Sequence, residues 1–286
     1  MPIDSSTSQV VVYLGYHKTA SKWVWNNFFK RHYPCRQVNL FERPAAELRK
    51  TIGGTGSPFI LRQRIEGGLM GGELPALVET IAEAFPDARV VAGIRSQRSM
   101  LPSHYGQYVT NGGRLGFAAY LDQVVKTKWH YTPVLKAFLE RFGDNMFVYL
   151  FEELREDPFA LLCRLRDFVG APEGGLDDQA LRRVAAVPPM NPQRNDLVVD
   201  TMLLLNRLRM RHPKNAIFPE LRRPGHDHIL VEVAEVIARS YAARYGRPLR
   251  YRRFDDRGAL GPAYGAENQE LSALLDRPLR DYGYPS

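Results

Sequence analysis

Short apolar runs alternate with amphipathic stretches over the first 170 residues. The apolar runs predict strands over Val10–Leu14, Phe59–Leu61, Arg89–Ile94 and Met146–Phe151. Helical spacing of apolar residues between them predicts helices over Thr19–Arg31, Leu74–Phe85, a stretch near Arg98, and Pro158–Val169. Strands separated by helices indicate an α/β fold of three layers, a parallel sheet with helices on both faces.

The regular alternation stops between Val187 and Asp227, where proline and arginine become frequent. One helix, Asp196–Met210, is still predicted inside this segment. The segment is either an ordinary surface excursion or a lid or acceptor-binding segment. Further along, the pattern predicts a helix over Ile229–Tyr245, then a loop from Gly258 and a short helix near Glu267–Leu275.

The 286 residues, 44% of them hydrophobic, are enough to bury a substantial core. We expect a single domain over 1–286, with residues 1–9 extended or disordered. Cys35 and Cys163 form no CxxC pair, the N-terminus is polar, and no run approaches the ~20 apolar residues of a membrane span. We therefore expect a cytoplasmic protein that does not associate with a membrane.

The net charge of +8 comes mainly from arginine. Either a codon bias explains this composition, or the protein binds an anion, since guanidinium groups match phosphate and sulfate oxygens. The basic residues are scattered and form no stripe, so we do not expect a nucleic-acid partner.

A glycine, a lysine and two hydroxyl residues follow the first predicted strand and open a helix, in the stretch Gly15–Trp23. Backbone N–H groups at such a strand-to-helix turn can bind an anion. Lys18 would add a charge, and Thr19 and Ser21 would add hydroxyl donors. The turn is not a Walker A loop, because no glycine directly precedes the lysine.

A second pair of donors follows the Arg89–Ile94 strand. Arg95 leaves the end of the strand, and Ser103 lies eight positions further on, in the next helix. Ligands of α/β sheets bind at the carboxyl ends of the strands, so both residues can address one phosphate.

These motifs resemble those of the sulfotransferases that use 3′-phosphoadenosine 5′-phosphosulfate (PAPS). The family's Lys-[Ser/Thr]-Gly-Thr-Thr-Trp loop reads Lys18-Thr-Ala-Ser-Lys-Trp23 here, and its Arg and Ser eight residues apart are Arg95 and Ser103. The stretches Phe151–Pro158 and Pro278–Pro285 are also similar to family segments, the latter to bacterial members. The resemblance covers Val10–Gly170 well and the rest loosely, and it implies a P-loop-like fold.

The resemblance assigns a role to each motif residue. Lys18 would contact the bridging and sulfuryl oxygens, and the N–H groups of Thr19, Ala20, Ser21 and Lys22 would hold the 5′-phosphate. Trp23 would stack on the adenine, or alternatively lie in the helix core. Arg95 and Ser103 would bind the 3′-phosphate. Phe151 stands where some members place an aromatic residue at the adenine.

Three features depart from the family pattern. Ala20 replaces a glycine, which is unfavourable if its φ is positive. Lys22 replaces a hydroxyl residue, so one phosphate contact becomes ionic or is lost. The family's late basic loop is not evident, and only Arg194, Arg222 and Arg223 are candidates to replace it.

The general base is left open by the sequence. Glu66, just before a glycine-rich turn, is the first choice, and His17 beside Lys18 is the second. Arg64 would take the catalytic position if the alignment slips by one residue. The resemblance implies a small-molecule or carbohydrate acceptor and no metal. Several aromatic residues either contact the acceptor or pack in the core, namely Tyr16, Tyr105, Tyr108 and Trp129.

Two other activities compete with sulfuryl transfer. A P-loop-type kinase would suit the Lys18 turn but lacks a Walker A Gly-Lys pair and evident Mg²⁺ carboxylates. A non-catalytic binder of an anionic polymer is the third possibility. His226 and His228 offer two metal ligands without further ligands at metal-site spacing.

Overall fold

The computed structural model describes residues 9–52, 57–65, 73–189, 195–208, 227–246 and 258–286. They contain a five-stranded parallel sheet in the order β2-β3-β1-β4-β5. The strands are β1 Val10–Tyr16, β2 Cys35–Gln37, β3 Phe59–Ile65, β4 Arg89–Ile94 and β5 Met146–Leu150. Helices flank the sheet, which confirms the predicted three-layer α/β fold.

The central position of strand β1 accounts for its apolar composition. It pairs with β3 on one side and β4 on the other, and all seven of its residues are buried. A strand enclosed in this way needs an apolar run rather than an alternating pattern. The edge strand β2 is short and mostly exposed, so it left no such signal in the sequence.

The described chain forms two compact units. The first comprises the described residues within 1–96, 128–190 and 264–286 and contains the whole sheet. Its helical segments are α1 Ser21–Val24, continued by a π-helical turn Trp25–Phe29 and α2 Lys30–His32, then α3 Ala45–Arg49, α4 Glu73–Ala84, α7 Thr132–Phe142, α8 Phe151–Glu156, α9 Pro158–Val169 and α10 Asp178–Ala185. The prediction of a single domain stays a prediction.

The second unit comprises the described residues within 97–127 and 191–263. Its helices are α5 Gln97–Thr110, α6 Phe117–Thr127, α11 Asp196–Leu208 and α12 Asp227–Tyr245. The Asn206 amide donates to the carbonyls of Val109 and Gly113 at 2.6 and 3.0 Å, which ties α11 to the end of α5. No helix in the described ranges is both long enough and apolar enough to cross a bilayer.

The last helix departs from the prediction. Helix α13 spans Leu260–Leu275, whereas the sequence predicted a loop from Gly258 and a helix only near Glu267. Gly261 and Pro262 lie in the first turn of this helix, where proline is tolerated because its missing N–H needs no partner. The loop-like composition of the stretch from Gly258 therefore led to a wrong prediction of where this helix begins.

Candidate functional site

The direction of the sheet connections reverses between β1 and β4. From β1 the chain moves to β2 and β3 on one side, and then crosses to β4 and β5 on the other. In open α/β sheets, ligands bind at the carboxyl ends of the strands at this switch point. Here the carboxyl ends of β1 and β4 are followed by residues 17–22, called the Lys18 loop below, which lead into the first turn of α1, and by Arg95.

The Lys18 loop has an unusual backbone. Lys18 and Ala20 both adopt left-handed conformations, with φ of 66° and 57°. Such conformations cost non-glycine residues roughly 1–2 kcal/mol each, so the surrounding contacts must hold them in place. The predicted concern about Ala20 is therefore confirmed: this alanine stands where glycine would be relaxed.

The hydroxyl groups of the loop bond to the protein itself. Thr19 Oγ1 donates to the Tyr16 carbonyl at 3.0 Å, and Ser21 Oγ donates to the same carbonyl at 2.9 Å. Both side chains are buried. They therefore fold the loop back onto the end of β1, and both hydroxyl protons are donated to the protein itself.

The carbonyls of the loop also have partners. Arg95 Nη1 donates to the Lys18 carbonyl at 3.1 Å, and the Ala20 carbonyl accepts from the N–H groups of Trp23 and Val24 at 2.8 and 3.1 Å. In a trans peptide the N–H points opposite to the C=O, so the Thr19 and Ser21 N–H groups point away from these partners. The first N–H groups of a helix also lack intrahelical acceptors. The turn thus presents amide donors suited to an anion.

Arg95 is a buried cation beside the loop. Its guanidinium lies over the Phe151 ring, 4.0 Å from the centroid, and its exposure is 9%. Burial lowers the pKa of Arg95 to about 10, and the nearby Glu152 carboxylate opposes that shift. The group is therefore charged at neutral pH in a poorly solvated place, where its attraction for an anion is strong.

Polar groups from three other segments surround Arg95. The Tyr131 hydroxyl donates to the Arg95 carbonyl at 3.0 Å, and the N–H of Ser96 donates to Glu152 Oε1 at 3.2 Å. Ser96 Oγ donates to the Gly283 carbonyl at 2.6 Å, which brings the C-terminal segment to the end of β4. This contact was not predicted, because the sequence analysis assigned no role to the C-terminal segment.

Two buried hydroxyls near this cluster, those of Tyr16 and Tyr284, make no hydrogen bond within the part of the chain that the structure describes. Burial raises the pKa of both, so they are protonated donors at neutral pH. Buried polar groups without a protein partner commonly bind water or a ligand.

A second buried guanidinium, Arg62 of β3, was missed by sequence reasoning. It lies 5.3 Å from the centroid of the Trp25 ring, and its Nε has no hydrogen-bond partner among the described residues. A Cβ on Gly15 would stand 3.2 Å from that Nε, so the glycine leaves room for the guanidinium. Burial lowers the pKa of Arg62, with the Tyr13 hydroxyl opposing. The sequence alone does not reveal that an arginine within a strand is buried beside a glycine of the neighbouring strand.

Trp23 and the other aromatic candidates lie mainly in hydrophobic surroundings. Trp23 packs in the core cluster with Phe28 and Phe29, and its Nε1 donates to the Val187 carbonyl at 3.2 Å. This geometry favours the helix-core alternative over adenine stacking. Tyr16 and Trp129 are also buried, as is Tyr105 of the second unit, which favours core packing for them.

The remaining predicted residues are distributed as follows. His17 is half-buried at the start of the Lys18 loop, and Lys22 and Arg64 are exposed. Ser103 is half-buried on α5 in the second unit. Several predictions fall on residues outside the described ranges, namely Glu66, Arg194, Arg222, Arg223, His226 and most of the 187–227 segment, and the side chain of His228 is likewise not described. Among the described residues, no cluster of three or more His, Cys, Asp or Glu side chains is arranged to bind a metal ion.

No protein-family model and no curated protein matches the chain. It is similar to a solved sulfotransferase from Alicyclobacillus acidocaldarius, with 15% identity and a TM-score of 0.44 over 70% of this chain and 93% of that one. Mouse sulfotransferase SULT7A1 complexed with PAP is similar with 13% identity and a TM-score of 0.44, over 78% and 75% of the two chains. A retinol dehydratase complexed with androsterone and inactive cofactor PAP has 13% identity and a TM-score of 0.40, over 79% and 80%.

Proposed function

We propose that this protein transfers a sulfuryl group from PAPS to an acceptor hydroxyl and releases adenosine 3′,5′-bisphosphate. The observation that carries the proposal is the hydrogen bond from Arg95 to the Lys18 carbonyl, which connects the residues that follow β1 and β4. Their resemblance to the PAPS-binding motifs of sulfotransferases supplies the ligand. The amide donors and the buried cation fit a nucleotide with two phosphate groups.

The donor supplies a sulfuryl group on a multiply charged leaving group. Positioned cations and N–H groups stabilise charge that develops on such a leaving group, and losing one donor typically costs ~2.7–4 kcal/mol. We assign this role to Lys18 and to the N–H groups of Thr19, Ala20, Ser21 and Lys22. Arg62 is a further cation, whose Nε lies beside Gly15 near the end of β1, and we propose that it also stabilises the transferring group.

The second phosphate is assigned to Arg95. Its planar guanidinium is held by the Phe151 ring and by the Lys18 carbonyl, which fixes its orientation before the ligand binds. Ser103 is proposed as a second donor on the basis of its position in the motif. Phe151 serves to orient Arg95 in this account, and Trp23 supports the helix from the core.

An acceptor hydroxyl needs a base within hydrogen-bond reach. Glu66 is proposed as that base, with His17 as the alternative because it lies beside Lys18 in the loop. A small molecule or a carbohydrate is the proposed acceptor. Glu66→Gln distinguishes the two bases: a large loss of turnover supports Glu66, and unchanged turnover transfers the role to His17 or another group.

Ligand binding and turnover test the function in two steps. Calorimetric titration with adenosine 3′,5′-bisphosphate should show binding, and Lys18→Ala should weaken it while Lys30→Ala, an exposed lysine on α2, should not. Tighter binding of Mg·ATP would favour the kinase alternative. An acceptor screen with PAPS, read by mass spectrometry as addition of a sulfuryl group, then identifies the acceptor.

A further inference from the structure

Two tyrosines of the sheet reach the Lys18 loop from below. Tyr13 lies on β1 and Tyr149 on β5, and their hydroxyl oxygens are 2.9 Å apart. The Tyr149 hydroxyl contacts the Thr19 carbonyl at 3.3 Å, and the Tyr13 hydroxyl contacts the Ser21 carbonyl at 3.3 Å. Both side chains are fully buried. The pair therefore contacts the carbonyls on either side of the left-handed residue Ala20.

Tyr149 reaches the loop only because β4 has a glycine at the crossing point. Gly93 and Tyr149 are register partners on β4 and β5, and the tyrosine ring lies across the glycine. A Cβ on residue 93 would stand 2.2 Å from Tyr149 Cζ and 2.4 Å from its hydroxyl oxygen. Any other residue would displace the ring, so Gly93 is needed to support the loop.

The chemistry of the pair is set by its two protons. Burial raises the pKa of Tyr13 well above its ordinary value and that of Tyr149 to about 12, so both hydroxyls are protonated at neutral pH. The two hydroxyl protons can make only two of the three hydrogen-bond contacts at a time. Either Tyr149 donates to Thr19 while Tyr13 donates to Tyr149, or Tyr13 donates to Ser21 while Tyr149 donates to Tyr13.

Holding a carbonyl also orients the N–H of the same peptide unit. In a trans peptide the two groups point in opposite directions, so a fixed Thr19 carbonyl directs the Ala20 N–H away from the sheet. The Ser21 carbonyl, which also accepts from the Trp25 N–H at the end of α1, directs the Lys22 N–H in the same manner. These are two of the four N–H groups to which the proposed function assigns the 5′-phosphate.

We propose that Tyr149 and Tyr13, admitted by Gly93, are positioning residues that orient the N–H groups of the Lys18 loop toward the 5′-phosphate of the donor. This inference rests on the proposed function, because the phosphate is the ligand that the oriented amides bind. The tyrosines do not touch the ligand. They preorganise an anion site whose left-handed backbone would otherwise relax.

Removal of the Tyr149 hydroxyl alone tests the proposal. Tyr149→Phe keeps the buried ring, and Tyr33→Phe is the matched control, because the Tyr33 hydroxyl donates to the Gly170 carbonyl at 3.1 Å in the same unit. Both variants lose a hydroxyl contact to a backbone carbonyl. We expect Tyr149→Phe to bind adenosine 3′,5′-bisphosphate about three- to tenfold more weakly, and Tyr33→Phe to bind like the wild type.

A kinetic comparison separates positioning from general damage. In Tyr149→Phe, the KM for PAPS should rise while the KM for the acceptor is unchanged. Tyr13→Phe, which leaves Tyr149 in place, provides a second variant if the first folds poorly, and it should show the same pattern.

Each outcome has a distinct meaning. Wild-type affinity in both tyrosine variants, in a protein that binds the nucleotide, overturns the positioning role and leaves the proposed function intact. Equal losses in Tyr149→Phe and Tyr33→Phe also overturn it, since stability alone would then explain them. A wild-type protein that does not bind the nucleotide overturns both proposals.

Discussion

Arg95 Nη1 donates a hydrogen bond to the backbone carbonyl of Lys18 at 3.1 Å. The two residues are 77 positions apart, and each follows one of two adjacent central strands. The bond holds a buried guanidinium against the turn that offers N–H donors. In the proposed function, these two residues contact the two phosphates of one nucleotide.

The planar shape of the Arg95 guanidinium should matter for nucleotide affinity as much as its charge. Arg95→Lys keeps a cation but cannot contact the Lys18 carbonyl and a phosphate with a planar guanidinium. We expect adenosine 3′,5′-bisphosphate to bind about tenfold or more weakly, measured by calorimetry. Arg239→Lys, at an exposed arginine paired with Glu235 on α12, is the control and should bind like the wild type. Unchanged affinity in Arg95→Lys would remove this residue from the site.

Arg62 should contribute to turnover through its position beside Gly15. Arg62→Met keeps much of the side-chain volume and removes the charge, and hydrogen bonds to charged groups contribute about 1.5–3 kcal/mol. We expect kcat to fall by about 10- to 100-fold with PAPS and the acceptor found by the screen. Gly15→Ala should have a smaller effect in the same direction, because a Cβ there stands 3.2 Å from Arg62 Nε. Full activity in Arg62→Met would show that the charge of this arginine is not needed for turnover and that the side chain only packs.

The left-handed backbone of Ala20 can be tested through stability. Ala20→Gly relieves strain of ~1–2 kcal/mol, offset in part by the greater freedom of glycine in the unfolded chain. We expect an equal or higher melting temperature and unchanged nucleotide binding. Ala20→Val, with a β-branched residue at a φ of 57°, should lower both stability and affinity. If valine is tolerated without loss, the loop is not held in this conformation.

Alkaline pH should destabilise the fold. Burial raises the pKa of several fully buried tyrosines above 10.0, namely Tyr13, Tyr16, Tyr131, Tyr149 and Tyr284. Their contribution to stability is complete below the unfolded value of 10.0 and is lost as pH rises through the folded values, about 12 for Tyr149.

Arg95 acts in the opposite direction, because its lowered pKa lets the unfolded chain hold a proton that the native state releases above about 10. The tyrosines outnumber it, so we expect the free energy of unfolding in urea to fall between about pH 9 and about pH 11. Tyrosinate absorbance should rise together with unfolding. Early ionisation of these tyrosines in the folded protein would contradict their burial.

Elements of the fold were predicted correctly from the sequence where a single feature, such as an apolar run or a terminal glycine, determines the element. The bounds of β4 and α9 were predicted correctly, because an apolar run ends at Arg95 and a glycine of positive φ, Gly170, ends the helix. The start of α13 was predicted wrongly, and its Pro262 belongs to a residue type that occurs both in loops and in the first turns of helices.

The site was readable only in part. The sequence located the Lys18 loop, but a hydroxyl such as that of Thr19 can donate equally to a phosphate or to a backbone carbonyl, and only the fold shows which. Trp23 carried the same ambiguity between ligand and core. Arg62 and Tyr149 gave no local signal, because their importance comes from strand neighbours, Gly15 and Gly93, that are distant in sequence.

A crystal structure with adenosine 3′,5′-bisphosphate tests the central claim most directly. The account predicts one phosphate within hydrogen-bond distance of Lys18 and the N–H groups of Thr19, Ala20, Ser21 and Lys22, and the other against the guanidinium of Arg95. A nucleotide bound elsewhere, or one that touches Lys18 while Arg95 contacts no phosphate, would contradict it.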